Sequence, residues 1–116
     1  MRIVSISENL KIEKRIAITP EIAKKYIALG LEVALSENYA VHLGIRDNEY
    51  TKIGAVLSKD EKEIINSADV IVQLGLPTDD KISLIKADQT LIGVLDPYNN
   101  EHKINDLVKK NINVLS

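Results

Sequence analysis

Short apolar runs and amphipathic stretches alternate along the chain. "RIVSIS" places Ile3, Val4 and Ile6 in a short buried strand, and the polar stretch from Glu8 to Lys14 follows it. In "RIAITPEIAKKYIALG", Thr19 suits an N-cap, and Pro20 suits the first helical turn, where its missing N–H costs nothing. Gly30 suits the left-handed residue that ends many helices, so a helix is predicted over about Pro20 to Leu29. Its inner face would carry Ile22, Ala23, Tyr26, Ile27 and Leu29, with Lys24 and Lys25 outward. "LEVALS" then restores a strand pattern, and strand, helix, strand in this span is a βαβ unit with parallel strands.

The alternation continues. Asp47 is expected to cap a short helix through Tyr50 that ends at Gly54, followed by the brief strand "AVL". Ser58 and Glu61 have the spacing of a capping box for a helix to about Asn66. "DVIVQLGL", Asp69 to Leu76, reads as an interior strand covered on both faces. Thr78 is expected to cap a helix over Asp79 to Ile85, and "TLIGVL" to form the next strand. "NNEHKINDLVKKN" reads as a helix with Ile104, Leu107 and Val108 inward, and "INVLS" as a last strand. The predicted fold class is α/β: a three-layer sandwich with a mostly parallel sheet, flavodoxin-like or Rossmann-like but without the glycine fingerprint.

Composition narrows the chemistry. The chain of 116 residues is 45% hydrophobic, enough for one domain with a real core. A net charge of -2, with 15 basic and 17 acidic residues dispersed, gives no footprint for nucleic acid or an anionic membrane. There is no cysteine, hence no thiolate chemistry, and His42 and His102 lack ligand-like spacing. No apolar run approaches the ~20 residues of a membrane span, so a cytoplasmic domain without direct membrane insertion is expected.

The five glycines, at 30, 44, 54, 75 and 93, form neither G-x-G-x-x-G nor a P-loop. Ligands of open α/β sheets sit beyond the carboxyl ends of the strands, which directs attention to Ser7 and Glu8, Gln73 to Pro77, and Asp96 to Tyr98. Arg15 precedes a helix N-terminus and is a candidate contact for an anion or substrate; pairing with Glu13 or Glu21 is the alternative. Gln73 is a candidate ligand contact or a satisfied buried amide. Asp96 is a candidate acid or base, or a turn residue before Pro97. No complete catalytic apparatus is apparent.

The segment "RIVSISENLKIEKRIAITPEIAKKYIALGLEVALSENYA" resembles the opening of the alanine dehydrogenase and pyridine nucleotide transhydrogenase family, in which Arg-hydrophobic-Ala-x-Thr/Ser-Pro leads into the first helix. The resemblance runs on through "GIRDNEYTKIGAVL", "SADVIVQLGLP" and "DQTLIGVLDPYNNEHKINDLVKKNINVLS". Alanine dehydrogenases carry a lysine two residues before the proline matching Pro77 and a catalytic histidine at the end of the next strand; here Gly75 and Asp96 occupy those positions. A lysine often found four residues before that proline is replaced by Gln73. "LDPYNNEHKINDLVKKNINVLS" looks more like the alpha subunit of the proton-translocating NAD(P) transhydrogenases.

That branch implies hydride transfer from NADH to NADP, with the nicotinamides held face to face and no acid or base required from the protein. It further implies that NAD(H) is held by the full-length protein, in a second, glycine-fingerprinted domain and a loop beyond Ser116. No cofactor is expected for residues 1–116 alone, which are predicted inactive. A homodimer is expected, partnered by NADP-binding and membrane components and peripheral to the inner membrane. Helical sequence from beyond the second domain completes the family's first one, so a fragment with an incomplete apolar flank is expected. The alternatives are an alanine dehydrogenase-like domain using Arg15, or a stand-alone flavodoxin-like binding module.

Overall fold

The structure, a computed structural model, describes residues 1–93 and 97–115, with side chains for 1–93 and 100–115. In chain order the elements are β1 (Arg2–Ser5), α1 (Pro20–Ala28), β2 (Glu32–Ser36), a 3-10 turn (Val41–Leu43), α2 (Asn48–Thr51), β3 (Val56–Ser58), α3 (Glu61–Ser67), β4 (Val70–Gln73), α4 (Asp79–Ile82), β5 (Thr90–Gly93), α5 (Pro97–Lys109) and β6 (Asn113–Leu115). The strands form one sheet in the order β3-β2-β1-β4-β5-β6, and every pairing is parallel. The order runs outward in both directions from β1 and β4. Right-handed crossovers therefore put the early helices on one face and the later ones on the other.

Two cores result. Ile3, Val33, Leu35 and Val72 face α1, α2 and the buried Tyr39 and Tyr50. Val4, Ile6, Ala34, Ile71 and Leu91 face α3, α5 and the segment after α4 through Ile64, Ile65, Ile85 and Leu107; α4 ends at Ile82, short of the expected Ile85. Alternate residues of each strand serve opposite faces, as the pleat requires.

Helix initiation at α1 follows the expectation: Thr19 Oγ1 accepts the Ile22 N–H at 3.2 Å, and Gly30 has φ +88 just past the end. Leu29, expected on the inner face, lies outside the helix at its C-cap and is 75% exposed. At α3 the cap is Asp60, whose carboxylate accepts the Glu63 N–H; the Ser58 hydroxyl accepts the Asp60 N–H instead, and Glu61 is drawn away to tertiary partners. Asp47 likewise accepts the Asn38 N–H across the loop and does not cap α2 with its side chain. Thr78 precedes α4, but its hydroxyl donates to Asp80. In α5, Leu107 is buried as expected while Val108 is exposed, a quarter-turn further round the helix.

The interior strand β4 is not fully covered on both faces: Ile71 and Gln73 are buried, Val70 and Val72 only half so. Val72 lies level with Ile92 in β5, and Ile92 with Leu115 in β6. This row faces away from α3 to α5. Beyond β4 no described helix covers it, leaving Ile92 36% and Leu115 57% exposed.

That asymmetry sets a test on adjacent residues of one strand. Leu91→Ala, which empties a fully buried position, is expected to cost ~2–5 kcal/mol of unfolding free energy. Ile92→Ala on the open face should cost about 1 kcal/mol or less in the same urea titration of residues 1–116.

Candidate functional site

The sheet order reverses between β1 and β4, and their ladder pairs only Ile3 with Val70 and Val4 with Ile71. Beyond it the strands part, and the main chain of Ile6 must find other partners. Gln73, at the end of β4 and 2% exposed, supplies them. Its Oε1 accepts the Ile6 N–H at 2.7 Å, and its Nε2 donates to the Ile6 carbonyl at 3.1 Å. A side-chain amide thus takes the role of one further rung of sheet.

Nε2 also donates to Glu8 Oε2 at 3.0 Å. The same carboxylate accepts the Leu74 N–H at 2.8 Å through Oε2 and the Gly75 N–H at 3.2 Å through Oε1. Burial pushes the Glu8 carboxyl above its ordinary value, outweighing the two main-chain N–H groups and the Lys81 charge that pull it down. A Cβ on Gly75 would lie 3.6 Å from Glu8 Oε1, an ordinary contact, so the amide and not the missing side chain makes the site.

Behind this layer, Ser5 Oγ donates to the Val72 carbonyl at 2.6 Å and meets Tyr39 Oη at 2.8 Å. Tyr39 Oη accepts the N–H groups of Ala17 and Ile18, and Tyr50 Oη donates to the Ile18 carbonyl at 2.8 Å. The rings meet edge to face at 6.0 Å. The N–H and the carbonyl of Ile18 are therefore both fixed, which anchors the entry to α1. Burial raises the pKa of both phenols.

On the other flank, the Ser7 N–H donates to Ser36 Oγ, which donates to Glu61; Lys81 Nζ pairs with the same carboxylate at 2.9 Å. Burial works to raise the Glu61 pKa, but the bonds from Lys81 and Ser36 prevail and hold it below its ordinary value. Glu61 thereby joins β1, β2, α3 and α4 at the carboxyl edge, which is why it does not serve as a capping-box partner.

Two cavities open here. One of about 240 Å³ is bordered by Ser7, Glu8, Gln73, Thr78 and Lys81. The other, about 410 Å³, is bordered by Glu8, Ile12, Glu13, Leu74, Asn100 and Lys103. Glu8 borders both, as do Asn9, Leu76, Pro77 and Thr78. Among the described residues no cluster of His, Cys, Asp or Glu could hold a metal ion.

Of the candidate residues, Gln73 lies at the centre of this crevice as a fully bonded amide. Arg15 is 73% exposed and grips Glu13 in a bidentate pair, Nη2 to Oε1 at 2.7 Å and Nε to Oε2 at 3.0 Å. The local partner is thus Glu13 and not Glu21, and any external anion at Arg15 competes with it. Asp96 lies outside the described residues. Sequence reasoning placed Glu8 at a strand end without a role and missed Lys81. For Glu8 the sequence offered only its place directly after a buried strand, and Lys81, next to Asp79 and Asp80, carried no local signal.

A parallel sheet with helices on both faces and a polar crevice at its reversal point defines a Rossmann-like α/β domain. Residues 5–116 match the family model for the alanine dehydrogenase/PNT N-terminal domain, and the chain belongs to that family. It is 36% identical over 116 residues to an NAD(P) transhydrogenase subunit alpha protein of Rickettsia prowazekii, an alignment spanning 97% of this chain and 30% of that relative. A transhydrogenase structure from Sinorhizobium meliloti superposes with a TM-score of 0.86 at 27% identity, covering 96% of this chain and 33% of the other. An L-alanine dehydrogenase structure shares the fold, with a TM-score of 0.89 at 20% identity over 98% of this chain and 31% of that one. The chain thus spans about a third of the length of such proteins.

Two measurements probe the site. The Arg15 guanidinium holds the Glu13 carboxyl down at about 2, against an ordinary 4.5. Stability from this pair is complete above the ordinary value and is lost as pH falls through the depressed one; carboxyl-carbon NMR of Arg15→Gln should show the Glu13 pKa rise toward its ordinary value, with the main-chain N–H of residue 15 still holding it below. Gln73→Leu strands the Ile6 N–H and carbonyl, at a cost of ~1–3 kcal/mol for each unpaired group in urea unfolding.

Proposed function

We propose that residues 1–116 form the N-terminal subdomain of a transhydrogenase alpha subunit, a rigid wall of the cleft in which hydride passes from NADH to NADP. The observation that carries this reading is the alignment of 97% of the chain with a transhydrogenase alpha-subunit protein. The crevice supports it by what it offers chemically. Gln73 is saturated, Glu8 is committed to three donors, and no free acid-base pair faces the cavities described. Hydride transfer between two nicotinamides asks for positioning and exclusion of water and needs no such pair.

The residues here do not fit a dinucleotide. A pyrophosphate on this fold sits where β1 turns tightly into a helix through glycines. In this chain the segment from Ile6 to Thr19 contains no glycine, and α1 begins only at Pro20, with Thr19 closing its first turn. In this reading NAD(H) is gripped by a following domain, NADP by another component, and the assembly is a homodimer peripheral to the inner membrane. No described helix is long and apolar enough to cross a membrane. The open row of Val72, Ile92 and Leu115 would be covered by helices from further along the same protein.

Calorimetric titration of residues 1–116 with NADH is expected to show no saturable heat in the micromolar range. The full-length gene product, assembled with its partners, is expected to reduce an NADP analogue with NADH. NADH oxidation dependent on pyruvate and ammonia, without transhydrogenation, would overturn this reading in favour of an alanine dehydrogenase.

A further inference from the structure

Between Glu8 and Ile16 the chain leaves the body of the domain: every residue from Asn9 to Arg15 is exposed except the half-buried Glu13. The segment is nonetheless bonded from within. The Asn9 carbonyl accepts the Ile12 and Glu13 N–H groups at 2.9 and 2.8 Å, and Asn9 Oδ1 accepts the Lys11 N–H. The Glu13 carboxylate closes the other half by taking the Arg15 N–H, Nε and Nη2. Both flanks are fixed, Glu8 by the end of β4, and Ala17 and Ile18 by the Tyr39 hydroxyl. Among the described residues, a single hydrogen bond runs from this segment to another part of the chain, His42 Nε2 to the Lys14 carbonyl at 2.7 Å. A carbonyl only accepts, so Nε2 carries the hydrogen. We propose that Asn9 to Arg15 is a rigid strap on the rim of the larger cavity and that His42 is the latch that holds it open.

The strap borders the larger cavity, about 410 Å³, through Asn9, Ile12 and Glu13. Its middle is apolar and faces solvent: Ile12 is 84% exposed and Leu10 44%. Leu74, Leu76 and Pro77 line the same cavity, so an inward swing gives Ile12 apolar cover and narrows the opening. One exposed hydrogen bond and the partial burial of one side chain are effects of similar modest size, the condition for two populated positions. Motion as a unit follows from the bonding. The bonds to Asn9 and Glu13 lie inside the strap and travel with it, whereas the bond from His42 ties it to the 3-10 turn and must break. That turn is anchored, since the Ala40 carbonyl accepts the Leu43 and Ile45 N–H groups and Tyr39 and Ala40 are buried in the core beneath α1. The latch rests on residues of this chain alone and is independent of the transhydrogenase reading.

The test is backbone and methyl NMR on the native chain, His42→Ala and His42→Gln; His42 is exposed, so neither change empties a core position. In His42→Ala, relaxation dispersion of the Lys11 to Arg15 amides should give one shared rate. The population of the inward position should rise ~2- to 10-fold over the native chain, the equivalent of one exposed hydrogen bond. Ile12 methyl contacts to Leu74 or Leu76 should strengthen, and the Glu13 carboxyl should stay down at about 2 because Arg15 moves with it. Glutamine offers an N–H donor at a similar reach to the imidazole Nε2, so His42→Gln should restore the native population. An unchanged strap in His42→Ala, or no restoration by glutamine, overturns the latch. A rise of the Glu13 carboxyl toward its ordinary 4.5 overturns the rigid strap, and shared motion without new Ile12 contacts overturns the inward closure.

Discussion

The join between β1 and β4 rests on the side-chain amide of Gln73. Parallel strands moving apart at a reversal point expose main-chain groups that water cannot reach and that no neighbouring strand can pair. Gln73 carries a donor and an acceptor on one planar group, and both go to Ile6. The remaining N–H turns outward to Glu8. From that one residue the polar layer extends to Glu8 and the next loop on one side and, through Ser5, to Tyr39 and the entry of α1 on the other. The apolar cores on either face can close over the sheet because this layer is saturated.

The crevice of this fold often receives a ligand, and here it is filled by the chain itself. Glu8 takes the strand-end amides, Glu61 gathers Lys81 and Ser36, and Glu13 occupies Arg15. These charged groups at the carboxyl edge are thus committed within the chain. That suits a wall against which other parts of a larger protein close more than a site that performs acid-base chemistry. The buried row on the helix-covered face and the open row of Val72, Ile92 and Leu115 on the other agree with such a role, since one half of one sheet face still offers apolar surface.

Where sequence reasoning failed on polar residues a distant partner prevailed over the local one, and where it failed on apolar residues helix geometry decided. Ser58 and Glu61 have capping-box spacing, yet Lys81 and Ser36 offer Glu61 a better-shielded partnership than the exposed N–H groups of its own helix. Asp47 sits before α2, yet its carboxylate is taken by the Asn38 N–H nine residues earlier. Val108 lies outside the arc that α5 buries, and Leu29 lies past the end of α1. The role of Glu8 was illegible because its partners are 65 to 67 residues away, and no local pattern encodes that meeting.

By itself the sequence determined the alternation of strands and helices, the parallel sheet, and the start of α1 at Thr19 and Pro20, because hydrophobic period and helix-terminus chemistry act over a few residues. It also carried the family membership, which is written in residue identities. Only the tertiary structure decided which polar groups close the crevice and which half of the sheet stays bare. Those outcomes depend on distances between segments far apart in the chain, where a buried charge or amide settles on the partner that leaves fewest hydrogen bonds unmade.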